Sequence, residues 1–215
     1  MKIAILGAGS VGQSLGKSFV GAGHQVVLAG RDAAKTAESA TAIGATAASS
    51  AASATAASDV VVIAVPHGAA AGLAAEIAPV AAGKVVIDAT NPLRSDYTGL
   101  TTGDGPSAAE QLGALLPGAL MVKAFNTIMA SNQGNPAAHG TTLDALYATD
   151  DAGARSTFAA LASSIGFRPL YIGPLAAARE LEAMAWLIIR LQLITNGSWN
   201  SAYVMVAPPE AALAG

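Results

Sequence analysis

Lys2-Ile3-Ala4-Ile5-Leu6-Gly7-Ala8-Gly9-Ser10-Val11-Gly12 is the stretch that decides how this chain reads. Its first half is a short apolar run bounded by glycine, the pattern of a buried strand. G-x-G-x-x-G is a weak signal alone, but here a strand precedes it and a helical pattern, from about Ser10 to Ala22, follows it. In that setting Gly7 permits a tight turn, Gly9 lets the backbone approach a pyrophosphate, and Gly12 lets the helix pack closely on the strand. Ala8, Ser10 and Val11 complete the loop, where the free N–H groups and the positive dipole end of the helix suit phosphates. Gly21-Ala22-Gly23 ends the helix, and Gln25 to Ala29 reads as a second strand.

The end of that second strand chooses the dinucleotide. NAD sites place Asp or Glu there, roughly 20 residues beyond the glycines, to accept from ribose hydroxyls. This chain has Gly30-Arg31, and a guanidinium pairs bidentately with a 2′-phosphate that a carboxylate would repel. Lys35 can add a second positive charge. The expected cofactor is NADP(H). Asp32 remains able to serve a ribose after a one-residue shift, and Arg31 and Lys35 could be plain surface charges.

Composition narrows the function classes. With 12% charged residues and a net charge of −3, no basic surface exists for a nucleic acid. The absence of cysteine excludes disulfides and thiol chemistry, and His24, His67 and His139 lie far apart, so no metal site is expected. The first strand begins at once, so no leader peptide is expected. The longest apolar stretch, Met184 to Ile194, carries Arg190 and is far shorter than the ~20 residues of a membrane span. A cytoplasmic protein without membrane contact is expected.

Beyond Arg31 the chain alternates as a doubly wound α/β protein does. An Ala-, Ser- and Thr-rich segment, Ala33 to Ala57, sits where a crossover helix (Lys35 to Ile43), a brief strand (Ala45 to Ala47) and another helix (Ser49 to Ser58) belong. Asp59 to Val65 and Lys84 to Thr90 are continuous apolar runs, the fourth and fifth strands, stopped by Pro66 and by Asn91-Pro92. A helix over Ala108 to Leu116 leads to a sixth strand, Leu120 to Phe125. A helix near Ala152 to Ile165 leads to a further strand, Phe167 to Ile172. The fold class is α/β, a doubly wound and mostly parallel sheet of Rossmann type over 1–173, with a small helical extension over 174–215.

Ligands of open parallel sheets sit outside the carboxyl ends of the strands. That rule gathers the glycine loop, Ala64, Val65, Pro66 and His67, then Ala89 and Asn91, then Asn126, around one crevice. His67 reads either as a cofactor contact or proton donor, or as a cap of the next helix. Asn91 and Asn126 offer amides near the nicotinamide end, although Asn91 before Pro92 can also simply build a turn. Asp88, inside an apolar strand, needs partners and is expected to bond backbone groups in a structural role.

Taken together, several motifs resemble the NADP oxidoreductase, coenzyme F420-dependent family, and the resemblance spans Met1 to about Ala202. They are the glycine loop, Gly30-Arg31 with Lys35, Val62 to His67, Val86 to Leu93, Val122-Lys123-Ala124-Phe125-Asn126-Thr127, and Gly173-Pro174-Leu175 followed by Arg179-Glu180-Leu181-Glu182. The family is also similar to the reductase domain of the six-transmembrane metalloreductases. The resemblance implies a dimer that binds NADP, with C-terminal helices closing a pocket where a deazaflavin (F420) or a flavin (FAD or FMN) stacks on the nicotinamide. It implies that Ala8 to Gly12 take the pyrophosphate and that Gly30, Arg31 and Lys35 take the 2′-phosphate. Ala64, Val65, Pro66, Ala89 and Asn91 would line the ribose and nicotinamide, and residues around Asn126 and Leu175 would face the second redox partner. The chain departs from the deazaflavin enzymes at Gly7-Ala8-Gly9, at Gly30 and at Asn126, where they carry a Gly-Gly-Thr-Gly loop, a Ser and a His.

The C-terminal segment, Leu175 to Thr195, has helical spacing, with Leu181, Met184, Ala185, Ile188 and Leu191 on one face, and is expected to form a subunit interface rather than a ligand wall. Arg179 and Glu180 are expected to cap or pair locally, and Trp199 with Tyr203 to close the pocket rim. The expected activity is hydride transfer between NADP(H) and a deazaflavin or flavin. No catalytic residue is certain; His67 and Asn126 are the candidates. Two alternatives remain: a reductase of a small carbonyl or imine, using His67 or Lys123 as general acid, and a non-catalytic NADP-binding sensor.

Overall fold

The computed structural model describes residues 1–213. Its centre is one eight-stranded sheet flanked by helices. In chain order the elements are β1 (Lys2–Leu6), α1 (Ser10–Gly21), β2 (Gln25–Ala29), α2 (Ala33–Ile43), β3 (Thr46–Ala47), α3 (Ala51–Ala56), β4 (Val60–Ile63), α4 (His67–Ala81) and β5 (Val85–Asp88). They continue with α5 (Ala108–Ala114), β6 (Leu120–Ala124), α6 (Ala130–Gln133), β7 (Asp144–Ala148), α7 (Ala152–Ser164), β8 (Arg168–Tyr171), α8 (Ala178–Thr195) and α9 (Glu210–Leu213).

The strand order is β3-β2-β1-β4-β5-β6-β7-β8. The chain winds outward from β1 to β3, then returns to β4 on the other side of β1, so the winding reverses between β1 and β4. That reversal opens the crevice above the strand ends where ligands of such sheets bind. β1, β4 and β5 are apolar and buried on both faces, as central parallel strands must be. One core cluster joins Ile3, Ile5, Phe19, Val62, Phe125 and Phe158, and another joins Ala4, Val61, Ile77, Val86 and Leu112.

The alanine-rich segment folds through its caps. Asp32 accepts a hydrogen bond from Lys35 N and heads α2, which Gly44 ends in the left-handed region at φ 74°. Ser50 and Ser53 form a reciprocal capping box at α3, which makes that helix shorter than the expected Ser49 to Ser58.

β7 was not anticipated. It runs antiparallel to β6 and parallel to β8, so Arg168–Tyr171 is the eighth strand rather than the seventh. Ala145, Ala148 and the acidic Asp144 give the segment little strand propensity, and its place comes from tertiary pairing. Asp144 is buried and held bidentately by Arg168, with Oδ1 2.6 Å from Nε and Oδ2 3.0 Å from Nη2.

A buried ionic trio ties β5, β6 and α8 together. Lys123 Nζ donates to Asp88 Oδ2 at 2.9 Å and to Thr90 O at 2.6 Å, and lies 3.5 Å from Glu182 Oε1. The side chains of Lys123 and Asp88 are 0% exposed. Glu182 also accepts from the N–H groups of Ala108 and Ala109 in the first turn of α5. Asp88 accepts from Thr90 N as expected, but its main partner is Lys123.

Replacing one partner of such a group leaves the others charged and dry. Lys123→Met is therefore expected to cost about 3–5 kcal/mol in urea unfolding. An unchanged urea midpoint would mean that the trio does not hold these elements together.

Candidate functional site

The turn after β1 is built for close contact. Gly7 has φ 130°, and a Cβ there would fall on the carbonyl oxygen of Ala64, which brings the β1 and β4 strand ends into contact. A Cβ at Gly12 would collide with Gly7 O, and would lie 3.2 Å from Ile5 Cγ2, so this glycine is what seats α1 on β1. A Cβ at Gly9 meets nothing within 4 Å, and α1 starts there with no side-chain cap. The first-turn N–H groups therefore face open space, the arrangement that accepts an anion.

From this turn the expected residues follow one track. A Cβ at Gly30 would meet Thr36 Oγ1 at 2.5 Å and Ala8 Cβ at 3.3 Å, so Gly30 sits against the glycine loop. Arg31 and Lys35 project at the exposed head of α2. Asp32 is committed to capping, with Lys35 Nζ 4.0 Å from its Oδ2. On the other side, Ala64, Val65 and Pro66 follow β4 beside Gly7, and His67 opens α4 with its Nδ1 buried and unpartnered.

The track leads to a cleft of about 570 Å³, a volume within the usual range for small-molecule sites. Ser10, Val11 and Ser14 of α1 line one side, Ala89 and Asn91 after β5 the floor, and Phe125 to Ser131 with Gln133 the next wall. Ile188 and Ile189 of α8, with Ser198 and Trp199, close it. Asn126 is 7% exposed and fixed on two sides: its Nδ2 donates to Asn91 Oδ1 and to Leu181 O, both at 3.0 Å. Asn91 Nδ2 donates back to Asn126 O at 3.1 Å. This exchange joins the β5 and β6 ends to α8 directly above the ionic trio.

Trp199 is held at the rim by a polar strap. Its N–H donates to Gln192 Oε1 at 2.9 Å, and its carbonyl accepts from Ser131 Oγ at 2.7 Å. Asn132 Nδ2 donates to Asn200 O and Ser201 O, and Gln192 Nε2 to Ser201 Oγ. Gln192, Asn132 and Gln133 were absent from the sequence reading. Nothing in a four-residue helix or on the polar side of α8 distinguishes them from solvent-facing amides.

Several expectations are corrected. Lys123 is fully buried in the trio and does not line the cleft, so it cannot be a general acid there. His67 does not line the cleft either. Leu175 lies in a 3-10 turn packed into the core beneath Met121 and Gly113, beside a different hollow that also includes Asp150 and Ala176. α8 buries Ala178, Leu181, Glu182, Ala185, Ile188 and Gln192, while Leu191 of the expected stripe is 45% exposed. Arg179 bonds locally, its Nε donating to Ala176 O at 3.2 Å, and also reaches Glu110 of α5 at 3.4 Å. Tyr203 donates to Met184 O and is not at the rim; burial raises its phenol pKa.

The ionisable side chains stay out of the cleft: among the described residues, its lining contains no Asp, Glu, Lys, Arg, His or Tyr. Nor do the described residues hold a group of three or more His, Cys, Asp or Glu suited to a metal, or a helix long and apolar enough to cross a membrane.

Comparison with known proteins gives concordant results. Residues 2–92 match the family described as NADP oxidoreductase, coenzyme F420-dependent. The F420-dependent NADP reductase of Methanothermobacter thermautotrophicus is 35% identical over 98% of this chain and 97% of its own length. The metalloreductase STEAP3 of Rattus norvegicus is 32% identical over 85% of this chain, which spans only 36% of that protein. Among solved structures, one provisionally described as an F420-dependent NADP-reductase from Arthrobacter sp. FB24 superposes with a TM-score of 0.86 and 27% identity, covering 96% of this chain and all (100%) of that one. A reductive aminase from Aspergillus terreus, in complex with NADPH and ethyl levulinate, has a TM-score of 0.69 and 25% identity, covering 91% of this chain and 62% of that chain.

The two glycines at α1 separate packing from ligand contact. Gly12→Ala is expected to lose about 1–3 kcal/mol through overpacking against the loop. Gly9→Ala is expected to stay within about 0.5 kcal/mol of the parent while weakening cofactor binding. Thermal melting and cofactor titration of the two variants check this; the reverse ranking of their stabilities would contradict it.

Proposed function

Because the chain belongs to the NADP oxidoreductase, coenzyme F420-dependent family and is an NADP-dependent oxidoreductase, we propose that it transfers hydride between NADP(H) and a deazaflavin or flavin. The carrying observation is the composition of the cleft: its walls are apolar, amide or hydroxyl, with no ionisable group among the described lining residues. Carbonyl or imine reduction calls for a proton donor at the reacting atom, whereas hydride transfer between stacked rings calls for proximity and alignment. The cofactors carry that chemistry. When bound, NADP(H) supplies the hydride-bearing nicotinamide carbon.

The residues fit the cofactor. The uncapped start of α1 and the open space at Gly9 suit the pyrophosphate, received by Gly7, Ala8, Gly9, Ser10, Val11 and Gly12. Gly30, Arg31 and Lys35 receive the 2′-phosphate, and Asp32 is left to cap α2. Ala64, Val65 and Pro66 face the ribose; Ala89, Asn91 and Asn126 orient the nicotinamide. Phe125, Ile188, Ile189 and Trp199 exclude water and offer a flat apolar wall for the second ring. The described part of the C-terminal segment, residues 174–213, acts as a cap on this cleft through Ile188, Ile189, Ser198 and Trp199. The outward Leu187, Leu191 and Ile194 of α8, 51%, 45% and 70% exposed, support the reading of a homodimer joined through that helix.

The likeness to the reductive aminase keeps a second reading, reduction of a small imine or carbonyl, in play. NADPH oxidation followed against oxidised F420, FMN, FAD and a cyclic imine separates the two. Turnover with a ring acceptor and none with the imine is expected; turnover with the imine alone would overturn the proposal. Arg31→Glu is expected to raise the NADPH Kd about tenfold or more while leaving NADH little changed. Equal affinity for NADPH in parent and variant would remove Arg31 from the site.

A further inference from the structure

Two residues that line the same cleft each carry a side-chain oxygen without a partner. Asn126 Oδ1 and Gln133 Oε1 are buried without a hydrogen bond, and their residues are 7% and 1% exposed. Neither amide can be turned over to relieve this. Asn126 Nδ2 already faces two acceptors, Asn91 Oδ1 and Leu181 O. Gln133 Nε2 faces Phe125 O at 3.3 Å and Ile128 O at 3.1 Å. Flipping either amide would set oxygen against oxygen, so the surrounding network fixes both as acceptors.

Buried polar atoms in native proteins are paired as a rule, and an orphan calls for an explanation. The backbone here is also held away from its relaxed form. Phe125 sits at φ 62°, a conformation unfavourable for a bulky residue. Its ring packs against Phe158 at 5.1 Å between centroids, and Gln133 braces its carbonyl, which together keep the turn in place. Phe125, Asn126 and Gln133 all border the cleft, so a strained, braced turn holds two unsatisfied acceptors beside a ligand-sized space.

We propose that Asn126 and Gln133 form an acceptor subsite that selects a bound ring by its N–H groups, with Gln133 a specificity-determining residue. Two sources share this chemistry: the carboxamide NH2 of the nicotinamide, and the ring N–H of a flavin or deazaflavin. Only the second rests on the proposed acceptor. A ligand that offers no donor there leaves both oxygens desolvated and unpaired, so the subsite discriminates by what the wrong ligand fails to satisfy.

Isothermal titration with matched ligands tests this on the unaltered protein. One pair is NADP+ and its 3-acetylpyridine analogue, in which a methyl replaces the NH2; the other is FMN and 3-methyl-FMN. In at least one pair the donor-bearing member is expected to bind about tenfold or more tightly, and the pair that shows the gap identifies the source. Gln133→Met and Asn126→Ser, confirmed folded by thermal melting, are expected to shrink the gap. Equal affinities within both pairs overturn the proposal whatever the variants do, and so does a gap that survives both substitutions. If FMN and its methyl derivative fail to bind at all, the nicotinamide pair decides the subsite, and only the flavin part of the functional reading is lost.

Discussion

The cleft depends on one constraint: Lys123, Asp88 and Glu182 must meet inside the protein, away from water. Asp88 ends β5, Lys123 lies near the end of β6, and Glu182 is on the first turns of α8. The β5–β6 ladder puts Asp88 opposite Lys123, and the approach of Glu182 docks the C-terminal helix across the two strand ends. Desolvating three charges is costly, and the arrangement stands because every member is also hydrogen-bonded, Lys123 to Thr90 O, Asp88 to Thr90 N and Glu182 to the head of α5. Such a group adds little to net stability compared with an apolar core, but it permits only one relative placement of its elements. Immediately above it, the Asn91–Asn126 exchange and the bond to Leu181 O carry that placement to the cleft floor.

A division of labour results. Charges work below the floor and at the outer rim, where Arg31 and Lys35 stand, while the space between is lined by amides, hydroxyls and apolar groups. A site of that kind has no ionisable side chain to serve as acid or base, and it works through alignment and exclusion of water. The polar strap around Trp199 serves the same end, since Ser131, Asn132 and Gln192 hold a segment with little packing of its own against the cleft mouth.

What the sequence made legible was local. β1, the glycine turn, α1 and β2 announce themselves because glycine steric demands and apolar periodicity act over a few residues. The structure places their bounds within one residue of that reading. β7 was hidden because Asp144 and two alanines carry no strand signature; antiparallel pairing with β6 and the Arg168 clamp make it a strand. Lys123 read as a free acid because its partner Glu182 lies far along the chain, in a helix whose charged positions look solvated. Leu175 enters the core from a 3-10 turn that precedes α8, and the buried face of α8 runs from Ile188 to Gln192, four residues on, rather than to Leu191. Gln133 was unreadable because its importance lies in two backbone carbonyls that only the folded turn of Phe125 presents to it.

The most direct test is the pH dependence of the hydride-transfer step itself, measured in a single turnover with deuterated and ordinary NADPH and a flavin that does not titrate in the range used. A cleft that aligns two rings and supplies no acid or base predicts an isotope-sensitive rate that stays flat between about pH 6 and 9. A rate that rises or falls through a protein pKa in that interval would show an ionisable group acting on the reacting atoms, and would contradict the account.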